Sequence, residues 1–255
     1  MTPTRKLLAA AVALALTLPL TAVGQESADD QKLAIHHVKV KIGHGPAFRE
    51  GMAAYAECLA DSDHDEGYSV WSSVDGDRTA FHVVTDFDSW AEFDSSDEVS
   101  DACWEKDGIR AGIFDHMTSW KTHYAERMPA WSGDAEGYEI VRLHYFRVDD
   151  GEDFREVVGN MVGHLKEAEF DNMGTWYDVQ ATGHGAADYF YVDHFENFAA
   201  MDDRETVDAA LREAVGDDDT DELWEDFNDS LQDEKGYWAV MIKREASMGY
   251  APDDD

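Results

Sequence analysis

The stretch Phe81 to Asp94, F-H-V-V-T-D-F-D-S-W-A-E-F-D, reads as a strand that runs straight into a short helix. Its pattern returns 108 residues later at Tyr189 to Asp202, Y-F-Y-V-D-H-F-E-N-F-A-A-M-D. Val84, Phe87, Ala91 and Asp94 recur as Val192, Phe195, Ala199 and Asp202. Phe81, Trp90 and Phe93 recur as Tyr189, Phe198 and Met201. The chain therefore reads as one unit written twice.

Working outward from the first copy, His36 to Ile42 alternates apolar and polar residues and predicts a strand. Gly43-His44-Gly45-Pro46 breaks it, and Pro46 suits the first turn of a helix. Phe48, Met52, Tyr55 and Leu59 fall on one face of that helix. Asp61 to Gly67 is an acidic turn, and Tyr68–Val74 and Thr79–Thr85 are strands joined by Asp75-Gly76-Asp77. Asp88 is the expected cap of the short helix that carries Trp90 and Phe93. A further helix runs through Val99, Cys103 and Ile109 to Ile113, and Thr118–Tyr124 is the fourth strand. This is the split βαβ pattern, β-α-β-β-α-β.

The second copy repeats the order. Ile140–Val148, Gly174–Ala181, Asp188–Asp193 and Tyr237–Lys243 are its strands, and Phe154, Val158, Met161 and Leu165 repeat the first helix with identical spacing. Val207, Leu211 and Val215 continue the second helix. Trp238 matches Trp120 at an offset of 118, so ten residues were added, near Gly216–Glu222, before an acidic helix on Leu223, Phe227 and Leu231. The expected organisation is a leader at 1–24, a polar lead-in at 25–34, one repeat at 35–128, a linker at 129–138, the other repeat at 139–247 and an acidic tail at 248–255.

A single ferredoxin-like unit covers one face of its sheet with helices and leaves the other bare. Two such units can bury their bare faces against each other. The strand-to-helix pieces F-H-V-V-T-D-F-D-S-W-A-E-F and Y-F-Y-V-D-H-F-E-N-F-A-A-M, so arranged, resemble the dimeric α/β-barrel superfamily, which includes antibiotic-monooxygenase-like and NIPSNAP-like proteins. The resemblance implies an α+β fold, two tandem ferredoxin-like repeats packed sheet to sheet as an α/β barrel within one chain. It implies a monomer or weak homo-oligomer, because the chain does within itself what most members do as homodimers. It also implies a cleft between sheet and helices that binds a small apolar or aromatic molecule. Cofactor-free monooxygenase-like chemistry is an expectation of the resemblance alone. Some members that handle haem ligate iron through a helical histidine, and His164 is the residue here in such a place.

Composition narrows the partners. The chain has 56 acidic against 20 basic residues, a formal charge of -36. No basic stripe is available for nucleic acid, and anionic membranes are equally unattractive. Arg5 and Lys6, the apolar run Leu7–Leu20 and the small residues Ala22-Val23-Gly24 predict a secretory signal peptide, shorter than the about 20 residues of a membrane span. The mature protein is expected to be periplasmic or secreted, at a charge of -38 once those two cations are removed. There Cys58 and Cys103 can form a disulfide, or they can remain two buried thiols, since Cys103 is matched by apolar Leu211 in the second copy.

Candidate site residues follow from strand alternation. With strand order 4-1-3-2, His37 on the first strand lies between His82 on the third and His123 on the fourth. They predict a polar pocket wall. Trp71, Trp120, His144, Tyr145, Tyr177 and Tyr191 are further candidates for ligand contact, since Tyr and Trp carry polar ends that need partners. His194 belongs to the same group. Asp61-x-Asp63-x-Asp65 opens like a calcium loop but has Glu66 and Ser72 where that motif needs Gly and Glu. The sequence has no phosphate loop, no dinucleotide glycine fingerprint and no H-x-H, H-E-x-x-H or C-x-x-C spacing, so no metal and no cofactor is expected. A module whose barrel is simply filled by side chains is the alternative, and a cavity is what separates the two.

Overall fold

The structure is a computed structural model that describes residues 31–62, 64–133, 137–181 and 186–252. The expected leader, Asp63 of the acidic turn, and the turn at Gly183–Gly185 lie outside the described residues. The strands are β1 (Lys32–Val40), β2 (Ser69–Ser73), β3 (Ala80–Phe87), β4 (Met117–Arg127), β5 (Ile140–Phe146), β6 (Thr175–Ala181), β7 (Tyr189–Phe195) and β8 (Tyr237–Arg244). The helices are α1 (Gly45–Ala60), α2 (Glu98–Glu105), α3 (Ile109–Phe114), α4 (Gly151–Glu167), α5 (Val207–Val215) and α6 (Asp217–Asp229).

All eight strands pair antiparallel and close into one barrel in the order β1-β3-β2-β8-β5-β7-β6-β4. The first four run 4-1-3-2 and so do the last four. Expected as two sheets face to face, they are instead sealed edge to edge. β2 meets β8 at Trp71↔Arg244, and β4 meets β6 at Arg127↔Tyr177. Closure removes the exposed strand edges that open sheets must otherwise protect.

Period-2 alternation then sorts each strand into a lumen face and an outer face. Leu33, Ile35, Leu143, Phe190, Val192 and Ile242 pack inside the barrel. Outside, α1 lays Phe48, Met52, Tyr55 and Leu59 on Val38, Phe81 and Val83. On the opposite side α4 lays Phe154, Val158, Met161 and Leu165 on Phe146, Trp176 and Tyr189. Both helical stripes are those that the spacing predicts.

Several boundaries differ from expectation. β1 begins at Lys32 rather than His36, because β3 and β4 flank it and Leu33, Ala34 and Ile35 are all buried. A strand apolar on both faces has no alternation to announce it. The single helix expected through Val99 and Ile113 is two, broken at Gly108, whose φ of 89° is left-handed. Asp97 caps the first of these by accepting from the Val99 and Ser100 N–H groups. Asp88 is no cap: the turn at Trp90–Asp94 is 3-10, and Glu92 accepts from the Asp88 and Ser89 N–H groups. The acidic insertion is the first turn of α6, where carboxylates favour the helix N-terminus. Arg212 ties it to α5 through Asp208, Asp217 and Asp221. At the expected tail, Met248 is fully buried and Tyr250 bridges Tyr68. Among the described residues no helix is long and apolar enough to cross a membrane.

Cys58 and Cys103 form a disulfide that joins α1 to α2 across a sequence separation of 45. The chain-entropy relation assigns such a loop about 4 kcal/mol. Cys58→Ser with Cys103→Ser is therefore expected to lower unfolding free energy by about that amount in urea titration, with a steeper transition slope because the uncrosslinked unfolded chain exposes more surface.

Candidate functional site

Two cavities contain most of the expected site residues. The first, about 490 Å³, lies between the outer face of β5–β8 and helices α4–α6. Val158, Met161, Val162 and Leu165 of α4 form its roof, and Trp176, Phe195 and Phe227 add aromatic walls. Polar groups converge from the sheet: His144 and Arg142 on β5, Tyr191 and Asp193 on β7, Tyr237 on β8, and Arg204 from the loop before α5. An apolar wall with a few placed polar groups is the usual constitution of a small-molecule site, and the volume falls in the usual range of about 300–1,000 Å³.

His144 sits at the centre of that polar group. Its Nδ1 lies 2.8 Å from the Tyr237 hydroxyl. Its Nε2 is buried with no hydrogen-bond partner among the described residues. Burial, with help from Arg142 and Arg204, lowers its pKa to about 4, so the ring is neutral near pH 7. Tyr191 is fixed by an N–H···O bond of 3.0 Å from Gly174. Gly174 is required there, since a Cβ would stand 2.3 Å from the Val192 carbonyl and 2.5 Å from the Tyr191 ring. Burial also raises the Tyr191 hydroxyl to about 12, so it acts as an un-ionised donor or acceptor.

Arg204 anchors the floor. It contacts Asp193 at 2.5 Å and donates to the His194 and Asn172 carbonyls at 2.6 and 2.8 Å. Both side chains of this pair are largely buried, at 15% and 13% exposure. Burial raises the Asp193 pKa while Arg204 and Arg142 pull it back.

The second cavity, about 670 Å³, is in the barrel lumen. His37, His82 and His123 converge there as alternation predicts. His37 Nδ1 is 3.0 Å from His82 Nδ1, and the His37 and His123 ring centres are 4.6 Å apart. Tyr145 lines the same lumen, stacked 5.2 Å from Trp238.

The remaining expected residues are packing. Trp71 donates to Ser69 Oγ at 3.0 Å and stacks on Tyr138 inside the barrel. Tyr177 stacks on Phe190 at 4.7 Å with its hydroxyl on Gln31 Oε1. Trp120 is on the outer face, donating to His36 Nδ1 at 3.2 Å. His194 meets Tyr138 at a centroid distance of 4.4 Å on the lumen side. Thus the structure splits the expected set: His144 and Tyr191 line the outer cavity, and His37, His82, His123 and Tyr145 the lumen.

Sequence reasoning missed Arg142, Asp193, Arg204 and Tyr237. One signal was present: Asp193 interrupts the otherwise apolar and aromatic strand Y-F-Y-V-D-H-F, and a carboxylate there needs a buried partner.

The lumen histidines are not the group with metal-like donor spacing. Among the described residues, the three-donor group whose ligand atoms lie within 4.8 Å of one another is His64, Glu66 and Asp97. His64 Nε2 is already 3.2 Å from Asp97 Oδ2. The lumen histidines do not converge in that way. Haem held by a helical histidine also does not fit the outer cavity. Four apolar residues of α4 face it, and His164 is not among the lining residues.

Comparison with known proteins gives fold without close kinship. No family model matches the chain, and no curated protein matches it. Solved structures do. A protein assigned as a monooxygenase from Fusobacterium nucleatum is 10% identical, with a TM-score of 0.53 over 85% of this chain and 93% of that one. An anthrone oxidase-like protein is 10% identical, with a TM-score of 0.52 over 86% and 92%. A chlorite dismutase from Candidatus Nitrospira defluvii is 8% identical, with a TM-score of 0.52 over 86% and 92%. These are dimeric α/β-barrel proteins of ferredoxin-like construction, and this chain has their fold.

Two consequences are measurable. Arg204→Met leaves Asp193 buried without its cation, a loss expected to cost about 3–5 kcal/mol in chemical denaturation. Adding Asp193→Asn should recover part of it. His144 is neutral when folded and takes up a proton near pH 6.5 when unfolded. Its contribution is therefore full above pH 6.5 and is lost as pH falls toward 4. Between those limits, His144→Phe should flatten the fall of stability by up to about 1.4 kcal/mol per pH unit, measured by urea titration at stepped pH.

Proposed function

We propose that the protein binds a small, largely apolar or aromatic molecule in the outer cavity of its second half. The observation that carries this is the partnerless, buried Nε2 of His144 in an otherwise apolar cavity of about 490 Å³. A barrel filled only by side chains would offer no such space.

The chemistry we infer is monooxygenase-like and cofactor-free. Its support is the company of the fold, in which one relative is described as anthrone oxidase-like. Neutral His144 would take a proton from an acidic C–H or O–H of the ligand through Nε2. That requires the tautomer with the proton on Nδ1, where it donates to the Tyr237 oxygen. Tyr191 and Arg142 would orient polar substituents. The chain would be a tandem duplication, with repeats at 35–128 and 139–247, of the antibiotic-monooxygenase-like or NIPSNAP-like kind. It would be exported after loss of residues 1–24, and it would act as a monomer or weak homo-oligomer.

Native mass spectrometry of protein from its own host, in wild type and in Met161→Trp, tests the binding directly. A bound small molecule is expected in the first and absent from the second, since indole bulk fills the cavity. An equal ligand load in both would place binding elsewhere. Oxygen uptake with anthrone-type phenols tests the chemistry. His144→Phe should abolish turnover while ligand remains bound, and turnover that persists in the variant rules out His144 as the base.

A further inference from the structure

The lumen cavity is chemically unlike the rest of this molecule. The chain contains 56 carboxylates, yet none of them lines the lumen space among the described residues. The outer cavity includes Asp193, Glu205 and Asp208. A third cleft of about 420 Å³ is lined by Asp65, Glu66, Asp86, Asp88 and Glu92. The lumen instead presents Lys121, Thr122 and the three histidines on one side. Ile35, Ala125, Val179, Phe190 and Val240 form its apolar remainder. The Arg147 guanidinium lies 5.0 Å from the ring centre of Trp238, which lines the same space.

His82 supplies the second observation. It is 6% exposed, and its Nε2 has no partner among the described residues. Its Nδ1 meets His37 Nδ1 at 3.0 Å, so one ring must donate to the other. When His37 donates, His82 carries its proton on Nε2, and a buried N–H is left without an acceptor in a cavity. A buried donor left unmet is unfavourable, and an anionic acceptor would satisfy it with a charge-assisted bond.

We propose that the barrel lumen is a second binding site, for a small monocarboxylate with an apolar or aromatic body. The carboxylate accepts from His82 Nε2–H and pairs with Lys121 at the cavity mouth, while the body lies against Phe190, Val240 and the Tyr145–Trp238 stack. This site is separate from the outer cavity. Its ligand is recognised by negative charge at a wall without carboxylates, whereas the outer cavity mixes Arg142 and Arg204 with Asp193, Glu205 and Asp208.

The test uses the whole mature chain and two probes, 4-phenylbutyrate and its uncharged analogue 4-phenylbutan-1-ol, in isothermal titration calorimetry. The acid should bind at least about tenfold more tightly than the alcohol, the value of one charge-assisted hydrogen bond. Val240→Trp, which fills the lumen, should abolish binding of the acid, and Met161→Trp, which fills only the outer cavity, should leave it unchanged. Lys121→Met should weaken the acid about fivefold or more and the alcohol little, since it removes a partly screened ion pair. Lys121 is exposed, so that variant carries the test even if His82→Phe does not fold. Equal binding of acid and alcohol overturns the proposal, as does failure of the acid to bind. Retained binding in Val240→Trp, or loss in Met161→Trp, overturns it as well. The last result would leave the outer-cavity reading standing, and the two proposals therefore fail separately.

Discussion

Ring closure of the backbone hydrogen-bond ladder is the constraint from which the rest of this structure follows. A four-stranded antiparallel sheet with helices on one face has two failings: a bare face and two free edges. In this chain the β2–β8 and β4–β6 pairings cure both at once. They are short, with registered pairs Trp71↔Arg244 to Ser73↔Ile242 in one case and Tyr124↔Ala181 to Arg127↔Tyr177 in the other. Short seams suffice because the lumen core behind them, with Ile35, Leu143, Phe190 and Ile242, is shared by both halves. The same closure defines three insides: one lumen and two outer layers beneath helices. Every cavity of functional interest is a place where one of these layers is incompletely filled.

The two outer layers are filled differently, and local chemistry explains why. Over the first four strands, α1, α2 and α3 pack closely. Gly51 lets α1 approach α3 so nearly that a Cβ there would be 2.4 Å from the Gly112 carbonyl. The Cys58–Cys103 bond draws α2 onto α1, and Tyr55 stacks on Trp104 at 4.3 Å. Over the last four strands no such bond exists, because the chain's two cysteines are both in the first half. The inserted acidic turn begins α6, which Arg212 pins to α5 and which reaches the sheet through Phe227 on Phe146. The outer cavity opens between that helix, α4 and the sheet. Sequence differences between the halves thus become a difference in packed volume, and the space falls where His144 is.

Much of this was legible in the sequence because it depends on periodicity. The helix stripe Phe48, Met52, Tyr55, Leu59 and its counterpart Phe154, Val158, Met161, Leu165 needed only the 3.6-residue repeat. The meeting of His37, His82 and His123 needed only strand alternation and a strand order. What was not legible depends on contacts distant in sequence. Arg204 reaches Asp193 from a loop whose conformation no spacing rule gives, and Tyr237 meets His144 across 93 residues of chain. The start of β1 was hidden for a related reason, since burial on both faces erases the alternation that reveals a strand. Trp71, Trp120 and Tyr177 illustrate the opposite error. An aromatic residue with a polar end satisfies that end on a neighbour such as Ser69, His36 or Gln31 as readily as on a ligand.

The buried histidines show how so acidic a chain keeps chemistry in its interior. Carboxylates dominate the surface, and their mutual repulsion must be borne by a core that excludes them. Asp193 is the exception that needs Arg204 beside it. Imidazoles need no such counter-ion, because burial, joined by nearby arginines at His144 and His194, holds His36, His82, His144 and His194 near pKa 4 and therefore neutral. A neutral ring still offers one donor and one acceptor, and its tautomer adapts to whichever partner arrives. His36 places both its Thr122 and its Trp120 contact on Nδ1. His82 and His144, which line cavities, each use one nitrogen and leave the other buried without a partner among the described residues. Burial of a polar atom without a partner is unfavourable in any fold, and here two such atoms belong to residues that line cavities on opposite sides of one sheet.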